Sequence, residues 1–178
     1  MKPKSNYFYK IAPTPIGKLK LVASDKGLAA LLWEHDKPSR VRLGPLTENK
    51  NHPVLLQAER ELAEYLSGKR RAFSVKLDAA GTPFQNKVWH ALEKIPFGET
   101  RSYSQIAKEI GKPAAVRAVG AAIGRNPLCV MVPCHRVIGA SGALTGFAGG
   151  LDMKVRLLTL EGAKNLKDAP KSKRLSKK

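Results

Sequence analysis

Cysteine is scarce in this chain of 178 residues: only Cys129 and Cys134 are present, with no C-x-x-C pair. That excludes a secreted disulfide scaffold and argues for a reducing compartment. No long apolar run is present either, since Leu28–Trp33 is far too short to cross a bilayer. The opening stretch Met1–Ser5 carries charge with no apolar segment behind it, so the expectation is a cytoplasmic protein without a membrane partner. Internal repeats are missing, and low complexity is confined to the C-terminal tail. Acids are few, 14 Asp and Glu against 32 Lys and Arg.

That imbalance leaves a formal charge of +18, which calls for a polyanionic partner, nucleic acid first. The stretch after Gly162 holds seven of the cations and one acid, so most of the excess lies on the body of the chain. The tail, residues 164–178, is expected to be disordered, either a solvated end or a non-specific phosphate-binding arm. With 43% hydrophobic residues, the remainder can bury one solid core or two small ones.

The pattern along the chain divides near Asp78–Pro83. Before it, Leu19, Leu21 and Ala23 alternate with Lys18, Lys20 and Val22, and a turn at Ser24–Gly27 leads into apolar Leu28–Trp33, which predicts a hairpin. A weakly patterned polar stretch, His35 to His52, precedes Pro53–Leu66, where Leu55, Ala58, Leu62 and Tyr65 share one helical face. Alternation at Phe73, Val75 and Leu77 predicts a further strand. After Pro83 the pattern becomes short helices. Thr82 and Pro83 start one with Val88, Trp89, Leu92 and Ile95 inward, and Ser102 with Gln105 has capping-box spacing for a second. Gly111 ends that helix, and Ala114–Gly124 follows after a tight turn, a helix-turn-helix pattern. The last helix is nearly all small residues plus Arg117. It reads either as a helix packed in the core or as one whose backbone approaches a DNA groove.

Next comes an apolar run, Leu128–Val132, read as strand and turn, which empties into Pro133, Cys134, His135, Arg136 and Val137. A thiol acts as a nucleophile only as its thiolate, and His135 and Arg136 are both available to favour that form. Three other readings stand beside this one: a structural cysteine beside a chance histidine, a metal site from Cys129, Cys134 and His135, and a hydrolase. The metal site lacks close ligand spacing, with His35, His52 and His90 scattered, and a hydrolase gives no reason for the charge or the helix-turn-helix.

Taken together, Pro133–Val137, Gly81–Gln85 with Val88 and Trp89, Ala118–Gly120, Asn126 with Pro127, Gly149 with Gly150, and Leu160–Gly162 resemble the O6-alkylguanine-DNA alkyltransferase family in its single-unit bacterial form. The resemblance is dense over Gly81–Gly162 and looser before it. It implies an α+β fold: an RNase H-like N-terminal domain, residues 1–80, with a small β-sheet and a helix, then a winged-helix-like domain, residues 81–163, carrying the helix-turn-helix and the active site. It implies an irreversible, single-turnover transfer of the alkyl group from O6-alkylguanine, and O4-methylthymine, in a flipped-out nucleotide of double-stranded DNA to Cys134, by a monomer with no cofactor and no metal.

Residue by residue, the resemblance makes His135 a base acting through water, Glu161 the group that orients it and Asn126 the brace of the active-site turn. Arg117 fills the gap left by the flipped base, Tyr103 helps rotate the phosphate, and Ala118, Gly120 and Arg136 belong to the DNA-binding set. Phe147, Ala148 and Gly149 belong to the substrate loop, where Phe147 replaces the tyrosine of many relatives, so a hydroxyl contact to the base is missing. A lesion sensor or a helix-turn-helix regulator is the non-enzymatic alternative; sensors of this type lack the acceptor cysteine, which this chain keeps.

Overall fold

The alternation that starts at Lys18 produces a meander of three antiparallel strands, β1 (Tyr7–Thr14), β2 (Gly17–Ser24) and β3 (Gly27–Trp33). The computed structural model describes residues 6–164 and 166, so the expectation of a disordered tail lies mostly outside the described residues. A short β4 (Leu46–Glu48), inside the stretch read as weakly patterned, pairs in parallel with β1 and gives the sheet order β3-β2-β1-β4. Helix α1 (Pro53–Leu66) lies on one face through Leu55, Ala58, Leu62 and Tyr65, the stripe read from sequence. Gly27 is required at its turn because a Cβ there would sit 2.5 Å from the Lys76 carbonyl oxygen.

The strand expected around Phe73–Leu77 does not form. Leu77 makes a single bridge to Leu28, while the amides of Ser74 and Val75 donate to the buried Glu61 carboxylate at 3.0 and 3.1 Å. A side chain has taken the donors that a ladder would need. The strand expected in Leu128–Val132 is likewise one bridge, Leu31 to Leu128, after which the chain turns, with the Val132 amide donating to the Leu128 carbonyl at 2.8 Å. Both bridges lie along β3, so this edge of the sheet is shared between the first and second halves of the chain.

In the second half, α2 (Pro83–Glu93) and α3 (Tyr103–Glu109) each begin with a complete capping box, Thr82 with Gln85 and Ser102 with Gln105. Gly111, at φ +75°, turns the chain into α4 (Val116–Gly124), which starts two residues later than the spacing suggested. Trp89 of α2 donates its indole N–H to the Ala122 carbonyl at 2.9 Å, which locks α2 to α4. β5 (Arg101–Ser102) and β6 (Val137–Ile138) pair in parallel, and α5 (Leu151–Leu160) closes the described fold. Among the described residues, no helix is long and apolar enough to cross a membrane.

Candidate active site

Cys134 opens a one-turn 3-10 helix, Cys134–Arg136. The preceding loop is shaped by Asn126, fully buried, whose amide nitrogen donates to the Val132 carbonyl at 2.8 Å and whose oxygen accepts from the Leu128 amide at 2.9 Å. With both ends of the loop tied to one side chain, the position of Cys134 is set by backbone bonds rather than by packing alone. Cys134 is 5% exposed and lines a cavity of about 500 Å³ walled also by Tyr103, Gly120, Phe147 and Ala148, within the size range of sites that hold a purine-sized ligand. A larger groove of about 880 Å³ on the outer side of the sheet holds none of the candidate residues.

The imidazole of His135 is fully buried. Its Nε2 lies 2.8 Å from Glu161 Oε1, and the Glu161 carboxylate also accepts from the Tyr65 hydroxyl at 2.7 Å and from Arg136 Nε and Nη2 at 2.9 and 2.8 Å. An acceptor fed by this many donors is held ionised: the His135 and Arg136 hydrogen bonds outweigh burial and bring its pKa down to about 2. A carboxylate acceptor at Nε2 places the imidazole proton on Nε2 and leaves Nδ1 as a bare lone pair, and Nδ1 has no hydrogen-bond partner among the described residues. Burial pushes the pKa of His135 below its ordinary value despite Glu161, so the ring is a neutral base at physiological pH.

Two expectations are corrected. Neither His135 nor Arg136 acts on the thiol as a cation: the Cys134 S–H points to Cys129 Sγ at 3.9 Å, and that bond together with burial pushes its ionisation well above the ordinary thiol range. At rest Cys134 is therefore a thiol that must be deprotonated. Arg136, expected in the DNA-binding set, is 7% exposed and directed inward, with its guanidinium on Glu161 and on the Ile95 carbonyl at 2.7 Å. Its Coulomb partner is the buried Glu161 carboxylate, and each of its three guanidinium nitrogens donates to an internal acceptor.

Of the other predicted residues, Tyr103, Gly120, Phe147 and Ala148 line the cavity, while Arg117, Ala118 and Gly149 lie outside its lining. Arg117 and Ala118 are exposed on the first turn of α4, while Gly120 faces the Tyr103 ring. Tyr103 shares a hydrogen bond with Thr145 at 2.8 Å between hydroxyl oxygens. Phe147 stands edge-on to Trp33 and to His135, with centroids 5.6 and 6.5 Å away, and Gly149 is needed because a Cβ would meet Trp33 at 2.7 Å.

Residues 83–163 match the DNA binding domain of 6-O-methylguanine DNA methyltransferase, and residues 7–79 match the ribonuclease-like domain of the same proteins. The chain belongs to this family. Among its curated 6-O-methylguanine DNA methyltransferase relatives, a methylated-DNA--protein-cysteine methyltransferase of Methanosarcina acetivorans is 47% identical over 88% of this chain and 99% of its own length. The constitutive enzyme of that name from Bacillus subtilis is 47% identical over 86% and 94%. In structure, the chain resembles Mycobacterium tuberculosis OGT crystallised in complex with DNA, with a TM-score of 0.80 and 46% identity over 86% of this chain and 92% of that one. The α+β fold read from sequence is thus the fold of the 6-O-methylguanine DNA methyltransferase family.

Sequence reasoning missed the roles of three residues that hold this family member's site. Arg40, paired to Asp36 at 2.5 Å, reaches from the sheet side to the Asn126 carbonyl at 2.7 Å, and only the Asp36–Arg40 spacing could have hinted at it. Tyr65 was read as a core aromatic of α1, yet its hydroxyl reaches Glu161. Lys154, on an apolar face of α5, is fully buried and donates to the Val137 and Thr145 carbonyls at 2.6 and 3.0 Å; burial lowers its pKa to about 8.

Proposed function

We propose that this chain repairs alkylated double-stranded DNA by moving the alkyl group of O6-alkylguanine, and of O4-methylthymine, irreversibly onto Cys134. The observation that carries the proposal is the hydrogen bond from His135 Nε2 to Glu161, which leaves Nδ1 as an unpartnered acceptor on the residue that follows Cys134, whose side chain lines a purine-sized cavity. In this reading the proton of Cys134 passes through a water to Nδ1, and the ionised Glu161 stabilises the imidazolium that results. The sulfur attacks the alkyl carbon, a C–S bond forms, and the carbon–O6 bond breaks with its electron pair left on guanine, held by backbone groups of the 145–149 loop. An alkyl thioether has neither a good leaving group nor an activated carbon, so each molecule reacts once.

A stacked guanine hides its O6 from any protein sulfur, so the nucleotide has to leave the helix, at a cost of a few kcal/mol that the weakened lesion pair reduces. Exposed Arg117 fills the gap, and Tyr103 at the cavity rim turns the phosphate. Residues 1–80 then act as the scaffold and 81–163 as the DNA-binding and catalytic unit of a cytoplasmic monomer. The test is stoichiometry with a labelled methyl group on duplex DNA: one equivalent per chain and no further turnover is expected, and none with Cys134→Ala, which should keep its duplex affinity. Binding without any transfer by the native chain would make it a lesion sensor instead, and sustained turnover would rule out the acceptor role.

A further inference from the structure

We propose that Cys129 and Cys134 form a peroxide-responsive dithiol that closes to a disulfide and reversibly withholds the Cys134 sulfur. The two sulfurs lie 3.9 Å apart and line the same cavity, and no other cysteine exists in the chain to compete for either. A disulfide needs about 2.05 Å between sulfurs, so closure requires an approach of under 2 Å by side-chain rotation. The backbone that carries them is already folded back on itself: the Val132 amide donates to Leu128 and the Cys134 amide to Val132 at 2.7 Å. The repair chemistry uses only one of these sulfurs. Cys129 is 1% exposed and Cys134 5%, both lining that cavity, and the Cys129 S–H is directed to the Asn126 carbonyl at 3.7 Å, an oxygen that also accepts from Arg40.

The oxidant is hydrogen peroxide or an alkyl hydroperoxide, small enough for a cavity that admits a nucleobase. The Cys134 sulfur, giving its proton to His135, attacks one peroxide oxygen; the O–O bond breaks, water or an alcohol leaves, and Cys134 becomes a sulfenic acid. Cys129, held against it, loses its proton and attacks that sulfur. The S–S bond forms as the S–O bond breaks, and the hydroxide leaves as water with the Cys129 proton. Two sulfurs are oxidised by one electron each and one peroxide is reduced by two. A thiol reductant reverses the result, whereas a sulfenic acid without a neighbouring thiol proceeds to the sulfinic acid, which thiols do not reduce. The favourable interaction of Arg40 with an anion on Cys129 assists the second step.

The experiment treats the full chain with hydrogen peroxide, blocks free thiols with N-ethylmaleimide and maps peptides by mass spectrometry, a readout that needs no repair activity. Expected is a bridged Cys129–Cys134 species two hydrogens lighter than the dithiol, unlabelled, and converted back by dithiothreitol with recovery of the methyl-accepting capacity of untreated protein. Cys129→Ser and Cys129→Ala, each compared with its own untreated sample, should instead collect oxygens on Cys134 and fail to recover. The proposal is overturned if native Cys134 gains oxygen without bridging, if bridging occurs only between chains, if both sulfurs stay reduced at doses that oxidise glutathione, or if the variants recover as fully as the native chain. A bridge that forms in a protein with no methyl transfer would refute the proposed repair function and leave the dithiol standing.

Discussion

Glu161 connects Tyr65, His135 and Arg136, and its low pKa ties the site to stability. A carboxyl whose folded pKa, about 2, lies below its ordinary 4.5 contributes stability that is complete above the ordinary value and disappears as pH falls through the folded one. At about 1.4 kcal/mol per unit, roughly 3 kcal/mol is at stake. Glu161→Gln keeps an acceptor for Nε2 but leaves buried Arg136 without its counter-charge, a loss on the order of 3–5 kcal/mol. Thermal unfolding at neutral pH should show that drop, and the variant's acid-unfolding profile should be flatter between pH 4.5 and 2. His135 gives a separate signature. Because burial lowers its pKa from 6.5, methyl transfer should stay level through neutral pH and fall only below the ordinary imidazole range; a rate already halved at pH 7 would contradict a neutral base.

At the scale of elements, start signals were legible because they are local. Thr82 could be read as a cap from Pro83 after it and Ser102 from its spacing to Gln105; both caps form, and Thr82 closes a capping box with Gln85 as well. Thr82→Ala should cost about 1 kcal/mol, seen as a small fall in midpoint by denaturant titration. The misread strands at Phe73–Leu77 and Leu128–Val132 failed because alternation shows which residues face inward and not where the backbone donors go: Glu61, 13 residues away, takes the Ser74 amide, and Asn126, only two residues away, takes that of Leu128. The same limit hid the inward turn of Arg136, since its partner Glu161 is 25 positions away. Arg117, exposed at the start of α4, is a test of element geometry. Arg117→Ala should slow transfer from duplex DNA far more than reaction with free O6-benzylguanine in paired kinetic assays, and equal slowing on both would remove its role in nucleotide flipping.

For the molecule as a whole, composition spoke clearly about the partner and poorly about the assembly of the site. The charge of +18 predicts that log affinity for duplex DNA falls steeply with log salt as counterions are released, measurable by fluorescence anisotropy. A flat response would place the basic surface outside the interface. What composition could not show is that β3 lends its edge to the Leu128 segment and that Arg40 reaches across to the Asn126 carbonyl, so that the sheet half braces the loop in front of Cys134. The central claim, a single acceptor sulfur served by a buried neutral imidazole, is most directly tested by peptide mass spectrometry after incubation with a duplex carrying O6-methylguanine. The account predicts one added methyl group, on Cys134 and not on Cys129. Bound duplex with both sulfurs unmodified, or a methyl group on Cys129, would contradict it.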